Sequence, residues 1–163
     1  MGMDIEARLQ LLEQRIQELE DTLDVLRVVA SYGPSMDGGS GPDAGQFWTQ
    51  DCVYDSDNAS EPLQGRSAIE ELSARIGQLP FGVAHFSNLP IIVIDGDHAT
   101  VTAESNTYHQ EDGKYVVARV SANRWELDRV EGTWQVRLRI NRLLDGSPAG
   151  REVLTKGVRE ALA

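Results

Sequence analysis

Residues 99–144 read ATVTAESNTYHQ-EDG-KYVVARVSANRWEL-DRVEG-TWQVRLRINRLL, three long stretches rich in β-branched and aromatic residues separated by short polar joints. Glu111-Asp112-Gly113 and the run from Asp128 to Gly132 carry the Asp and Gly chemistry of tight reversals, so consecutive stretches are predicted to pair antiparallel. A fourth stretch, residues 83–94, precedes them across the turn Asp95-Gly96-Asp97. The second half of the chain is therefore expected to be a four-stranded meander over 83–94, 99–110, 114–127 and 133–144.

The first half reads as helix. Ile5, Leu9, Leu12, Ile16, Leu19, Leu23, Leu26 and Ala30 recur at alternating steps of four and three, an a/d seam on one long helix over residues 1–33. Arg8 and Arg15 fall at g positions and Glu13 and Glu20 at the following e positions, which suits ion pairs between helices. The expected division of labour is a subunit contact from the first half and core packing from about Leu19 onward. Gly33-Pro34 is read as the stop, and residues 34–46, rich in Gly and Pro, as a loop serving either as a lid or as a plain connector. Phe47 to Asp55 runs into a strand. Ser67 with Glu70 forms a capping box that opens a helix from about Ala68 to Gln78. Ser147-Pro148 marks a further helix in the tail, residues 147–163.

Helices followed by a long meander predict a single α+β domain over 1–163: a cone-shaped, strongly curved mixed or antiparallel sheet with helices over its concave face. Such a cone encloses an apolar interior suited to small ligands.

Composition narrows the partners. The chain has 163 residues, 40% of them hydrophobic and 25% charged, and a net charge of −11. Nucleic acid and anionic membrane surfaces both demand clustered Lys and Arg, so neither is expected as a partner. No apolar run approaches the roughly 20 residues of a membrane span. The start, Met-Gly-Met-Asp-Ile-Glu, has neither the basic end nor the apolar run of a secretory signal, so a cytoplasmic protein is expected. Cys52, the one cysteine, excludes an intrachain disulfide and reads as a small buried hydrophobe. No two histidines stand at metal-ligand spacing and no cofactor motif is present, so neither a metal nor a cofactor is expected.

Three local patterns carry a resemblance: Tyr32-x-x-x-x-Asp37 after the first helix, Trp48-Thr49-Gln50-Asp51-Cys52-Val53-Tyr54 entering the first strand, and Ala84-His85-Phe86-Ser87 ahead of Asp95-Gly96-Asp97. Together with the order of elements, over roughly residues 20 to 145, the chain resembles the SnoaL-like group of the nuclear-transport-factor-2-like superfamily. That group includes polyketide cyclases, scytalone dehydratase and a dehydrochlorinase. The resemblance implies a cystatin-like α+β barrel, with His85 as general base and Asp37 as the carboxylate that orients it. It also implies a cofactor-independent lyase or isomerase acting on an apolar, cyclic small molecule by proton abstraction. The alternative is a non-catalytic binding or assembly module such as a structural small subunit.

On chemistry alone, His85 is either such a base or a satisfied core histidine, and Asp37 either its partner or an Asp-Gly turn residue. Tyr32, Trp48, Tyr54, Leu89 and Trp125 are the candidate substrate-binding wall. His98 and His109 lie by turns and are expected to be exposed. Arg137 and Arg139 alternate with Val136, Leu138 and Ile140, so they are placed on the outer sheet face, paired with surface acids. The lesser option for Arg139 is to reach inward and hold an anionic substrate. A homo-oligomer is expected, through the first helix, the outer sheet face, or both.

Overall fold

The three quoted stretches form the centre of one sheet. The computed structural model describes residues 4–163; Met1 to Met3, at the start discussed above, lie outside the described residues. In chain order the elements are α1 (Ile5–Asp37), α2 (Gly41–Gly45), β1 (Trp48–Ser56), β2 (Leu63–Gln64), α3 (Arg66–Ile76), β3 (Val83–Ser87), β4 (Ile91–Asp95), β5 (His98–Glu111), β6 (Lys114–Val130), β7 (Thr133–Leu143) and α4 (Pro148–Ala161). The sheet runs β2-β1-β7-β6-β5-β3, with β4 also on β5. β5, β6 and β7 pair antiparallel, and their joints place Asp112-Gly113 and Glu131-Gly132 in the left-handed region, as two-residue hairpins require. β1 runs parallel to β7, which makes the sheet mixed. Its edges, β2 and β3, do not meet, so the curved sheet stays open.

The expected strand 83–94 is two strands. Asn88-Leu89-Pro90 interrupts it, and β3 and β4 then pair with different stretches of β5, Ser105–His109 and His98–Thr102. Pro90 has no N–H to give the ladder, which accounts for the break.

Val25, Val28, Val29, Tyr32 and Met36 of α1 bury against Val101, Trp125, Leu127, Trp134 and Val136 of the sheet. Each large side chain taken out of water there contributes roughly 1.5–3 kcal/mol. The α4 helix, predicted in the tail, packs on the opposite face. Trp125 meets Tyr32 of α1, whereas its neighbour Arg124 points the other way and reaches Glu160 of α4 at 2.6 Å. Helices therefore cover both faces, three on the concave side and one outside. Among the described residues, no helix is long and apolar enough to cross a membrane.

Several expectations on the helices need correction. α1 does not stop at Gly33-Pro34 but continues to Asp37. An interior proline costs a helix about 3 kcal/mol, and here the docked end offsets it. Met36 is fully buried, and the carbonyl of Ser35 accepts from the Ser73 hydroxyl of α3 at 2.8 Å. Residues 34–46 are consequently not a loop: they are the end of α1, a turn at Gly38-Gly39 and α2. Gly39, at φ +64°, lies against Gly77 so closely that a Cβ would stand 2.6 Å from its Cα, which pins the segment. α3 begins at Arg66 with Gly65 as its cap, so Ser67 lies inside the helix and forms no capping box.

The expected core packing of the heptad seam from about Leu19 onward is corrected as well: Leu19 and Leu23 stay exposed. Ile5, Leu9, Leu12, Ile16, Leu19 and Leu23 are all half or more exposed, and packing begins at Asp21 on a different stripe of the helix. Asp21 receives Arg129 at 2.7 Å and the Trp134 indole at 3.4 Å. Burial pushes its pKa up, but bonds from Arg129, Gln17 and Trp134 and the charge of Arg129 outweigh that and hold it below the usual carboxylate value.

Candidate active site

Asp37, the last residue of α1, meets His85 of β3. A glycine makes the approach possible: a Cβ on Gly33, one turn before Asp37, would stand 2.6 Å from the His85 carbonyl oxygen. The helix can therefore lie directly on the strand, and residue 37, on the same helix face, reaches over it. Asp37 Oδ2 accepts from the main-chain N–H of His85 at 2.8 Å, and Oδ1 lies 2.5 Å from its ring Nδ1. A carboxylate in that place fixes the proton on Nδ1 and leaves Nε2 with a free lone pair. The Tyr32 ring stands edge-on to the imidazole, with centroids 6.0 Å apart. The side chains of His85 and Asp37 are 18% and 25% exposed, so water screens the pair far less than it would on the surface.

His85 lines a cavity of about 1050 Å³ between the concave face of the sheet, α1 and α3. Val29, Leu72, Ile76 and Val83 give it apolar walls, and Tyr32 and Tyr54 also line it. Leu89 lies at the rim and is 87% exposed. Two candidate wall residues are corrected: Trp48 and Trp125 are buried beneath the cavity and do not line it. Instead the guanidinium of Arg139 stacks over Trp125 at 4.2 Å and presents itself to the space.

That placement overturns the outward reading of Arg139, which is 3% exposed. Val136 pairs with Leu127 and Leu138 with Glu126, so Arg137 is an extra residue, a bulge. One extra residue reverses which side chains face inward. Trp134 and Val136 point into the core before the bulge, and Arg139 and Asn141 do so after it. Arg137 does lie outside, with Glu126 at 2.6 Å and Asp128 at 3.1 Å. Arg139 Nε and Nη2 both donate to Asn123 Oδ1, at 3.2 and 2.7 Å, and Asn141 donates to the same oxygen. Sequence reasoning missed Asn123 and Asn141 altogether; the available signal was a pair of amides at corresponding places on neighbouring strands.

His109 likewise proves to be a cavity residue, on β5 and tilted against Phe81, while His98 is exposed as expected. Cys52 is buried, and burial pushes its thiol up to about 11, so it remains a thiol at neutral pH. Among the described residues, no three His, Cys, Asp or Glu side chains converge to hold a metal ion.

Comparison with known proteins agrees with this architecture. The profile of the SnoaL-like domain matches residues 17–140. An NTF2-like protein with a cystatin-like fold from Novosphingobium aromaticivorans is 33% identical, covers 94% of this chain and 99% of its own, and superposes with a TM-score of 0.84. A protein of unknown function from Mycobacterium tuberculosis is 18% identical over 89% of this chain and 90% of its own, with a TM-score of 0.72. A candidate scytalone dehydratase from Novosphingobium aromaticivorans is 17% identical over 77% of this chain and 85% of its own, with a TM-score of 0.64. The last two show likeness of fold. No curated protein matches the sequence significantly. With three quarters of its length under one profile and a 33% identical relative along nearly all of it, the chain belongs to the SnoaL-like domain family, among the NTF2-like proteins of cystatin-like fold.

Proposed function

We propose that this protein is a cofactor-independent lyase or isomerase, of dehydratase or cyclase type, acting on a largely apolar cyclic small molecule. The observation that carries the reading is the His85–Asp37 pair inside an apolar-walled cavity. Nε2 of His85 takes a proton from a carbon next to a carbonyl, and the C–H electron pair becomes the enolate. Asp37 stabilises the imidazolium so formed and holds the ring in place. Return of the proton to another carbon gives isomerisation; its delivery to a departing hydroxyl forms the C=C bond and releases water. The likeness in fold to a candidate scytalone dehydratase is consistent with such chemistry.

A panel of cyclic ketones and β-hydroxyketones tests this without the natural substrate in hand. Each compound is incubated with the protein in D₂O and followed by mass spectrometry for gain of deuterium or loss of water. Turnover of one class is expected, and it should vanish in His85→Ala with the circular dichroism unchanged. Turnover that survives this substitution, or none across the panel, leaves the binding-module reading ahead.

We also infer that the chain self-associates through the exposed seam of α1. Leu9, Leu12, Ile16 and Leu19 are each more than half exposed. In a parallel pair, Arg8 and Arg15 meet the partner's Glu13 and the partner's Glu20, whereas an antiparallel pair would align like charges. Leu9→Glu combined with Leu12→Glu should lower the mass found by sedimentation equilibrium. A wild-type protein that sediments as a monomer at high concentration refutes the inference.

A further inference from the structure

Arg139 is an anomaly of charge. It is a guanidinium with 3% exposure on the wall of a cavity, and among the described residues no carboxylate stands within ion-pair distance of it. The described arginines Arg119, Arg124, Arg129, Arg137 and Arg142 each have an Asp or Glu partner. Arg139 has the amide oxygen of Asn123 and the faces of Tyr32, Tyr54 and Trp125, at 3.8, 4.8 and 4.2 Å. Those rings offset part of the cost of desolvating the cation but supply no counter-charge. Its Nη1 is buried with no hydrogen-bond partner at all.

The cavity as a whole repeats the imbalance. The protein carries 26 acidic residues and a net charge of −11. Yet none of the cavity's lining residues is Asp or Glu, while Arg75, Arg119, Arg139, His85 and His109 all line it. The carboxylate of Asp37 stands behind His85 and is engaged by it. Tyr32 and Tyr54 bring hydroxyls to the same end as Arg139. Burial raises the Tyr32 pKa despite the charge of Arg139, so its hydroxyl remains a donor.

The geometry points to an anionic ligand: a carboxylate, or the oxyanion of a phenol or enol, held against Arg139 beside Tyr32 and Tyr54. This deepens the proposed function, on which the orientation toward His85 rests, by naming the substrate class as an apolar ring that bears one acidic group. The ring of Tyr32 touches both groups: the guanidinium lies over it at 3.8 Å and the imidazole meets it in a T-shaped contact at 6.0 Å. Both line the same cavity, so an acid anchored at Arg139 leaves the rest of the ligand within the space that His85 faces. In a low-dielectric site one charge-assisted bond separates charged from neutral ligands by roughly 10- to 100-fold.

The experiment compares 2-naphthoate with 2-naphthamide, nearly identical in shape and different in charge, by titration calorimetry at neutral pH. Wild type is expected to bind the carboxylate at least about 10-fold tighter than the amide. Arg139→Met should abolish that preference while amide binding persists. Asn123→Asp keeps Arg139 but gives it a carboxylate within the shell it already bonds, and it should abolish the preference as well; it decides the matter if Arg139→Met does not fold. His85→Ala should retain the preference, since the anion site does not use the base. Loss of turnover chemistry from the panel with the charge preference intact thus fails the base and leaves this site standing. The proposal is overturned by equal binding of the two ligands to wild type, by binding of neither at millimolar concentration, or by a preference that survives Asn123→Asp.

Discussion

Among the described residues, two histidine–carboxylate pairs have almost the same length. His85 and Asp37 lie 2.5 Å apart, and His98 and Asp128 lie 2.7 Å apart. Their surroundings differ in every respect that matters to chemistry. The His98 side chain is 77% exposed at the start of β5, and its partner Asp128 also serves Arg137. The His85 side chain is 18% exposed, its carboxylate also grips its main-chain N–H, and a cavity lies beside it. Distance alone therefore does not make a site. Water at the surface screens the first pair and competes for each of its bonds, whereas the second is fixed by a helix end.

The sharpest way to break this contrast is to remove each ring in turn. His85→Ala is expected to reduce proton abstraction by at least about 100-fold, while His98→Ala leaves the rate unchanged in the same deuterium-incorporation assay. Equal effects would mean that burial is not what distinguishes the pairs. Next come the carboxylates. Asp37→Asn keeps the base but loses the acceptor that sets its tautomer, so kcat should fall by roughly 10- to 100-fold. Asp128→Asn should leave kcat where it was.

Two glycines sharpen the comparison further. Gly33→Ala drives a methyl into the His85 carbonyl, so α1 must lift from β3, costing roughly 1–3 kcal/mol in urea unfolding and slowing turnover. At Gly96, by the surface pair, an added Cβ would meet nothing within 4 Å, and the φ of +57° is the sole obstacle. Gly96→Ala should cost no more than about 1 kcal/mol and spare activity. One further pair of variants separates a structural carboxylate from the one beside His85. Asp21→Asn should cost about 1–2 kcal/mol at neutral pH, with no change in kcat once folded. Because the Asp21 carboxyl is held below its ordinary value, its stabilisation is complete above the unfolded pKa of about 3.9 and is lost as pH falls through the folded value. The variant should therefore lose stability less steeply than wild type on acidification; parallel acid-unfolding curves would contradict this.

Much of the fold was legible because its signals are local. Asp112-Gly113 and the turn at Gly132 announce hairpins within a few residues of where they form. The Tyr32–Asp37 and Ala84–Ser87 patterns located the two halves of the site through resemblance, although nothing in their spacing required the side chains to meet. The a/d seam was read as a seam, but its burial was not readable. Leu19 and Leu23, expected to turn inward, are exposed, and the stripe that does pack holds an aspartate, Asp21, bonded by Arg129, Trp134 and Gln17.

By itself the sequence determined the strand-rich second half, its reversals and the long helix, because period, turn residues and side-chain type act over short stretches of chain; His85 and Asp37 were singled out only through resemblance. The tertiary structure decided whatever depends on distant partners. Helix α1 passes Pro34 because Met36 is buried in the core and Ser35 is bonded to α3, and Asp37 rides on that extra turn. Arg139 faces inward because the ladder with β6 places the extra residue at Arg137, and one inserted residue exchanges the two faces of everything beyond it. Register is a property of two strands, and neither strand's sequence states it alone.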